Sequence, residues 1–248
     1  MTRFRPITFL LLALAIQCLQ VASAKAQSLD NSPDDIGLWF AVFDRGDIRH
    51  DALPDQYKWW FDGHMRLFDD SGGFGQSIVR PGIGYTLNEQ TTVWAGYGWI
   101  RTSPPDGSGE ESGSSSDTDE HRLWQQLTWS QKLEPVTVGL RSRLEERFLE
   151  SEAETAWRFR QLLSWRQALH AAPELSLVLW NEVFINLNDT SSSVNGFDQN
   201  RLFFGFGRKS DSVTPLRVEI GYLYQRVGAL PGSTLNNHLL SVNFYMSP

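Results

Sequence analysis

The chain has 248 residues, with 22 lysines and arginines against 29 aspartates and glutamates, a formal net charge of −7 and a single cysteine. Because phosphate binding needs a basic surface, this acidic balance argues against a nucleic-acid partner. The cysteine lies in the N-terminal leader, so the mature chain has no residue for a disulfide or a thiolate metal site. The composition therefore predicts no nucleic-acid partner, no metal and no cofactor.

The N-terminus has the pattern of a secretory signal peptide. Two early arginines precede an apolar run at residues 7–16, and a small-residue cleavage site ends at Ala24. The run is too short for a spanning helix, so we expect removal of residues 1–24, with a second cleavage site after Ala26. Residues 25–248 then form one domain.

Apolar and polar residues alternate with a period of two in eleven segments, which is typical of β-strands. The predicted strands lie at residues 36–43, 57–68, 77–87, 91–100, 121–133, 136–148, 157–167, 175–186, 201–208, 215–226 and 238–245.

The segment 136–148 shows most clearly what the alternation means. One face carries valine, leucine and phenylalanine, while the other carries arginines that are too costly to bury unpaired in a soluble core. Similar strands repeat along the chain. We therefore predict a barrel with lipid outside and a polar lumen inside. On the segment 91–100, Gly96 and Gly98 face inward and are expected to leave room in the interior.

The connections support the same architecture. Short connections at 88–90 and 134–135 alternate with long polar ones at 102–120 and 187–199, an asymmetry typical of outer-membrane barrels. If both chain ends lie in the periplasm, the strand number is even. The predicted fold is an all-β, antiparallel up-and-down transmembrane barrel of ten or twelve strands. Either the connection 44–56 conceals a strand, or the first segment is not a full strand.

The tryptophans fit a membrane barrel. Amphipathic indole rings favour the two membrane interfaces, and six tryptophans are predicted there on the apolar face. They are Trp39, Trp59, Trp99, Trp129, Trp157 and Trp165. In the alternative fold, a soluble periplasmic β-sandwich, the same residues would fill the core.

Charged residues on the polar faces form the strongest constellation, and we predict that they line the lumen. They are Arg141, Arg143, Glu145, Arg147, Arg158, Arg160, Arg166, Glu182, Arg201, Arg217 and Glu219. Folding the hairpins about their loops predicts that Glu145 lies opposite Arg160 and Arg160 opposite Glu182, as a ladder across three strands. Two interpretations stay open. The arginines guide anions through a narrow pore, or mutually satisfied ion pairs fill the lumen and block it.

Enzymatic motifs are weak. The five histidines are scattered, and the chain has neither an H-E-x-x-H zinc motif nor a G-x-S-x-G elbow. His64 shares the inward face with Asp62, and such a pair could orient the serine of a lipase or deacylase, but no third member is evident. The sequence favours a protein without catalytic residues.

Several short motifs, in this order, resemble a family of bacterial proteins grouped as domain of unknown function 2490. They are L-R-S-R-L-E-E-R at 140–147, R-F-R at 158–160, N-E-V-F-I-N at 181–186, and F-D-Q-N-R at 197–201 followed by Gly205 and Gly207. The resemblance extends over nearly the whole mature chain. It implies an outer-membrane β-barrel of unestablished activity and supplies no catalytic residues.

The sequence therefore predicts a barrel in the outer membrane of the Gram-negative cell envelope, either structural or a narrow, porin-like pore for anions or acidic solutes. The expected partners are outer-membrane lipid, periplasmic chaperones, the barrel-assembly machinery and a small anionic solute. A lipid-modifying outer-membrane enzyme and a periplasmic β-sandwich binding protein are the alternatives.

Overall fold

The structure, a computed structural model, describes residues 34–50, 54–68, 73–103, 117–150, 152–210, 215–228 and 234–246. The expected signal peptide and its cleavage sites lie outside these ranges. Within them no helix has the length and hydropathy needed to cross a membrane.

All eleven predicted segments are strands, and most extend a few residues beyond the predicted bounds. The strands are β1 (Asp34–Asp47), β2 (Tyr57–Phe68), β3 (Gly73–Thr86), β4 (Thr91–Thr102), β5 (Thr118–Leu133), β6 (Val136–Leu149), β7 (Ala156–Leu169), β8 (Ala172–Asn186), β9 (Gly196–Ser210), β10 (Leu216–Gly228) and β11 (Thr234–Met246).

The sheet closes on itself as one barrel, so the β-sandwich alternative is wrong. Consecutive strands pair antiparallel, and β1 closes the barrel against β11 in parallel, from Asp34 beside Asn236 to Asp44 beside Met246. The expectation of ten or twelve strands is therefore also wrong for the described residues, which hold eleven. The even count assumed that both chain ends lie on one side, but a parallel closing pair leaves no such requirement.

The connections define two ends of the barrel. The turn end carries the connections at 48–56, 87–90, 134–135, 170–171 and 211–215, and the loop end carries those at 69–72, 103–117, 150–155, 187–195 and 229–233. β1 begins at the loop end and β11 finishes at the turn end. The first and last strands therefore point the same way through the barrel.

The alternation of side chains places a broad apolar surface on the outside. Large side chains such as Phe204, Phe206, Ile220, Tyr222 and Leu240 are about half exposed there. A continuous apolar surface of this kind is unusual for a soluble protein and marks a contact with lipid or protein.

Several polar side chains on the outer face are paired with one another. Asn181 and Asn200 exchange side-chain hydrogen bonds of 3.1 and 3.2 Å and are almost fully buried. Ser142 donates to the Gln161 side chain at 2.8 Å. A buried polar group without a hydrogen bond costs on the order of 1–3 kcal/mol in protein mutational data. Polar residues are therefore tolerated on the outer face because they bond to one another.

One of the six tryptophans predicted on the outer face lies inside. Trp39 is 7% exposed and packs in the interior against Leu223 and Leu239. The physical reason is register. β1 pairs on both sides so that Trp39 and Ala41 share the inward face with Ser241 of β11 and His64 of β2.

A cluster of three tryptophans fills the opposite wall of the interior. Trp60, Trp94 and Trp124 pack edge to face, with ring centroids 5.2 and 6.3 Å from that of Trp60. Glycines make room for these rings, because a Cβ built on Gly96 would lie 2.3 Å from the Trp124 ring and 2.4 Å from a backbone oxygen. The space that the sequence predicted at Gly96 exists, and the Trp124 indole occupies it.

We predict that Gly96→Val prevents correct closure of the barrel, because the new side chain overlaps both the Trp124 ring and the backbone of β3. The measurement is the fraction of protein that shows heat-modifiable migration on a gel. Gly63→Val is the matched control. Its Cβ would meet no atom closer than 3.7 Å, and a β-branched residue suits a strand. Equal folding of the two variants would contradict this packing.

Candidate functional site in the barrel lumen

The lumen holds more arginines than acids. Among the described residues, twelve arginines face inward against six carboxylates. Ion pairs between a lysine and a carboxylate at the rim are left out of this count. The arginines are Arg45, Arg66, Arg80, Arg122, Arg141, Arg143, Arg147, Arg158, Arg160, Arg166, Arg201 and Arg217. The carboxylates are Asp62, Glu120, Glu145, Glu182, Asp198 and Glu219. Cations therefore outnumber anions two to one.

A central cluster forms around Glu145, whose side chain is fully buried. Arg158 and Arg160 donate to its carboxylate at 2.8 and 2.7 Å. Arg160 also donates to Glu182 at 2.8 Å, and Arg141 donates to the same Glu182 oxygen at 2.7 Å. Each carboxylate thus joins two guanidinium groups, and Arg160 joins the two carboxylates. Charge-assisted bonds of this kind are the strong ones in a protein interior.

The predicted ladder has the right members but the wrong register. The structure pairs Glu145 with Arg158 rather than Arg160, and Arg160 with Phe184 rather than Glu182. The shift is two residues in each hairpin, so the inward face is unchanged. Because arginine is long, Arg160 still reaches both acids along the diagonal. Between β7 and β8 the register shifts at a bulge next to Leu169, which the loop length alone could not predict.

Arg143 lies beside this cluster and is poorly satisfied. Its Nε donates to the Gln126 side chain at 2.8 Å, and its guanidinium lies 4.7 Å from the centre of the Trp124 ring. Its Nη1 is 3.7 Å from Glu145, too long for a hydrogen bond, and neither Nη atom has a hydrogen-bond partner within the described part of the chain. The cluster therefore retains positive charge after all its close ion pairs are formed.

The loop-end half of the lumen is filled. Arg122 and Arg147 both donate to Glu120, at 2.7 and 2.5 Å, and Arg158 reaches Asp198 at 3.1 Å. A chain of amides crosses the same region. Asn237 donates to Gln225 at 3.1 Å, and Gln225 donates to Gln199 at 2.6 Å. Such a network leaves little space for a solute.

The turn-end half is more open. Arg166 and Arg217 share the buried carboxylate of Glu219, at 3.2 and 2.9 Å. Arg45 lies near them on β1, is exposed, and forms no ion pair with any described residue. The Arg217 guanidinium lies 4.1 Å from the centre of the Tyr245 ring. The rim of this end is therefore positively charged.

A cavity of about 240 Å³ occupies this half and opens at the turn end, where Arg45, Tyr245 and Met246 line it. It reaches inward to the level of Arg66 and Arg201. Pockets for drug-sized ligands span roughly 300–1,000 Å³, so the cavity suits a smaller molecule. One wall is cationic, and the other is built from aromatic and aliphatic side chains.

Asp62 and His64 belong to the lumen network rather than to a catalytic triad. Arg80 donates to the buried Asp62 carboxylate at 2.7 Å, and Trp60 donates to its other oxygen at 2.5 Å. His64 Nε2 lies 2.7 Å from both Asp62 and Arg80. Within the described part of the chain the His64 ring hydrogen-bonds no hydroxyl group.

All eleven residues proposed from the sequence face the lumen, but they form three groups. Arg141, Arg143, Glu145, Arg158, Arg160, Glu182 and Arg201 lie in or beside the central cluster, Arg147 lies toward the loop end, and Arg166, Arg217 and Glu219 lie at the turn end.

Several lumen residues were missed. Arg45 lies beyond the predicted end of the first strand, and Glu120 was assigned to a loop. Arg122 alternates with Trp124 and Gln126, so the period of two could have identified it.

Two ion pairs at strand ends are exposed. The hydrogen bond from Arg101 holds the pKa of the Asp117 carboxyl below its usual value at the base of the long loop. At the turn end, the hydrogen bond from Lys132 likewise lowers the pKa of Glu134. Among the described residues no three histidine, cysteine or acidic side chains form a group that could hold a metal ion.

We predict that Glu145→Gln lowers the free energy of unfolding by about 3–5 kcal/mol, because two buried guanidinium groups lose their shared counter-charge. Urea unfolding of the folded barrel, followed by tryptophan fluorescence, measures this change. Asp117→Asn removes a carboxylate from an exposed pair and should leave the unfolding curve nearly unchanged. A Glu145→Gln barrel as stable as the wild type would contradict the role of this cluster.

Comparison with known proteins finds one similar curated chain and one similar solved structure at a significant level. The first, an uncharacterised protein of Methylorubrum extorquens, is 27% identical over 246 residues, covering 95% of this chain and 96% of that protein. The second is described as outer-membrane expressed OmpT of Vibrio cholerae. It has a TM-score of 0.41 and 15% identity, covering 71% of this chain and 56% of that one.

The family resemblance seen in the motifs is confirmed. A family model described as "Protein of unknown function (DUF2490)" matches residues 36–236, which include ten of the eleven strands completely or nearly so and the whole of the charged lumen. The chain therefore belongs to the DUF2490 family.

Proposed function

We propose that this protein is an outer-membrane β-barrel whose lumen is a narrow, anion-selective passage entered from the turn end. The observation that carries the proposal is the two-to-one excess of arginines over carboxylates among the described lumen residues. Fixed cations along a narrow path lower the energy of an anion there and raise that of a cation. Small carboxylates and other acidic solutes are the class of molecule that such a lumen admits.

The outer surface supports the membrane location. Its exposed side chains are largely apolar, and its polar residues at Asn181, Asn200, Ser142 and Gln161 bond to one another. A closed barrel satisfies every backbone group within the sheet, which is the condition for strands to cross a bilayer. Export through the predicted signal peptide, escort by periplasmic chaperones and insertion by the barrel-assembly machinery belong to the same proposal.

A structural barrel without transport is the second candidate, and the central cluster favours it. Glu145, Arg160 and Glu182 lie at mid-lumen, and each is at most 4% exposed. A path past them needs movement of these side chains. The anion passage is therefore expected to have low conductance, with this cluster as its constriction.

We predict that the wild-type barrel in cell membrane fractions co-fractionates with outer-membrane markers in a density gradient and resists extraction at alkaline pH. The apolar exterior is the physical reason, because it cannot be dispersed in water without detergent. Recovery of the folded protein in the soluble periplasmic fraction would contradict the proposed location.

We predict small, anion-selective currents from the wild type in planar bilayers, and larger, less selective currents from Arg160→Ala. Removing Arg160 deletes both bulk and positive charge from the constriction and separates Glu145 from Glu182. Reversal potentials in a salt gradient measure the selectivity. Low ionic strength keeps the screening of the lumen charges weak.

Arg208→Ala is the control for the conductance measurement, because Arg208 lies on the outer face of β9 and is exposed. Its currents should match those of the wild type. Well-inserted wild-type protein that stays silent in bilayers would contradict the passage and favour the structural barrel. Cation-selective currents would contradict the role of the arginines.

A further inference from the structure

We propose that the inner end of the cavity binds a small organic carboxylate with a flat apolar body, held by Arg66 and Arg201. This inference rests on the proposed anion selectivity of the lumen, and it names the class of anion and the residues that recognise it. Arg66 was not among the charged residues singled out from the sequence.

Apart from the exposed Arg45, the two arginines differ from the others in the cavity because neither has a close carboxylate partner within the described part of the chain. Arg66 donates to the Gln76 amide at 2.6 Å and forms no ion pair with a described residue. The nearest carboxylate oxygen to Arg201 belongs to Glu182, at 3.9 Å from Nη1. Glu182 is already bonded by Arg141 and Arg160, so it does not neutralise Arg201.

Both guanidinium groups also carry unused hydrogen-bond donors. The Nε atoms of Arg66 and Arg201 are buried and have no partner within the described part of the chain. The two side chains are 8% and 7% exposed, and both line the cavity. A buried charged donor without a partner is unfavourable, so an anion bound beside these groups would supply the missing counter-charge.

Trp39 holds the pair in place. The Arg66 and Arg201 guanidinium carbons lie 4.1 and 4.8 Å from the centre of its ring, and Arg201 also lies 4.5 Å from that of Phe184. Stacking on an aromatic face stabilises a cation and orients its plane. Two cations on one ring still repel each other, so the arrangement favours a shared anion.

The wall beside the arginines indicates an organic anion rather than an inorganic one. Trp39, Val178, Trp180 and Leu223 line the cavity next to the pair, and Trp39, Val178 and Leu223 belong to one apolar cluster with Trp180 packed against it. An inorganic ion would leave this wall in contact with water. A flat apolar body gains by covering it, by roughly 25 cal/mol for each Å² removed from water.

The remaining chemistry points to a carboxylate. Guanidinium forks match the planar carboxylate and can donate to both of its oxygens. The turn-end mouth carries three arginines, Arg45, Arg166 and Arg217, against the two carboxylates of Asp44 and Glu219, so it attracts anions before they reach the inner site. The cavity of about 240 Å³ limits the ligand to roughly the size of an aromatic acid with one ring.

The test is titration calorimetry of the full folded barrel in detergent with benzoate, benzamide and inorganic phosphate as probes. Benzoate supplies the carboxylate and the flat body, benzamide keeps the body without the charge, and phosphate keeps the charge without the body. Saturable binding of benzoate, at least about tenfold tighter than either of the others, is expected. Each contrast removes one of the two kinds of contact, and charge-assisted hydrogen bonds alone support a factor of about 10 or more.

The variants Arg66→Gln and Arg201→Gln should each weaken benzoate binding by about 10-fold to 100-fold. Each substitution removes one guanidinium group, with its charge and its hydrogen-bond donors. Arg147→Gln is the matched control. It removes a lumen arginine that lies outside the cavity and leaves Glu120 paired with Arg122. Heat-modifiable migration shows which variants fold, and two independent site variants keep the test decisive when one of them does not.

Three outcomes overturn the site. They are no saturable benzoate binding to the folded wild type, binding that Arg66→Gln and Arg201→Gln leave unchanged, and phosphate binding as tight as that of benzoate. The last would show a site for inorganic anions. Because calorimetry needs no ion flow, silent bilayers with intact benzoate binding would contradict the passage alone, and anion-selective currents without benzoate binding would contradict this site alone.

Discussion

The need to neutralise arginine inside a narrow lumen is the constraint on which the rest of the structure depends. A buried guanidinium group without a counter-charge costs several kcal/mol, on the order of 3–5 when one partner of a buried pair is lost. Glu145, Glu182 and Asp62 each bind at least two basic side chains, and Arg160 joins the first two. These contacts connect β2 with β3, and β6 with β7 and β8, on the inner face of the barrel. These ion pairs therefore stabilise the interior, as apolar packing does in the core of a soluble protein.

The two halves of the lumen differ because different side chains occupy them. Toward the loop end, amides and the Glu120 ion pairs occupy the space. Three tryptophans fill one wall, because glycines such as Gly96 let their rings approach the backbone. Toward the turn end, Arg166 and Arg217 share the carboxylate of Glu219, and Arg45 forms no ion pair with a described residue. Both the cavity and its positive charge follow from this uneven filling.

The strands and their faces were predictable from the sequence, as Val136–Leu149 shows, because each side chain in a strand alternates between two very different surroundings. The eleven lumen charges followed from the same rule. The pairing register between neighbouring strands could not be predicted as well from the sequence. The bulge at Ala168/Leu169 shifts β7 against β8 by an amount that no loop length reveals, and Arg160 consequently faces Phe184. Trp39 was placed on the wrong face because its register is set by β11, where its partner Ser241 lies about 200 residues away in the chain.

The period of two, the arginines and the apolar faces were enough to predict a barrel with a charged interior, because local alternation follows from the backbone alone. The closure of β1 on β11 in parallel, the count of eleven strands, and the incomplete pairing of Arg66 and Arg201 come from contacts between residues distant in the chain. Whether a charge is neutralised depends on distances of a few ångströms across the lumen. Alternation along one strand carries no information about those distances.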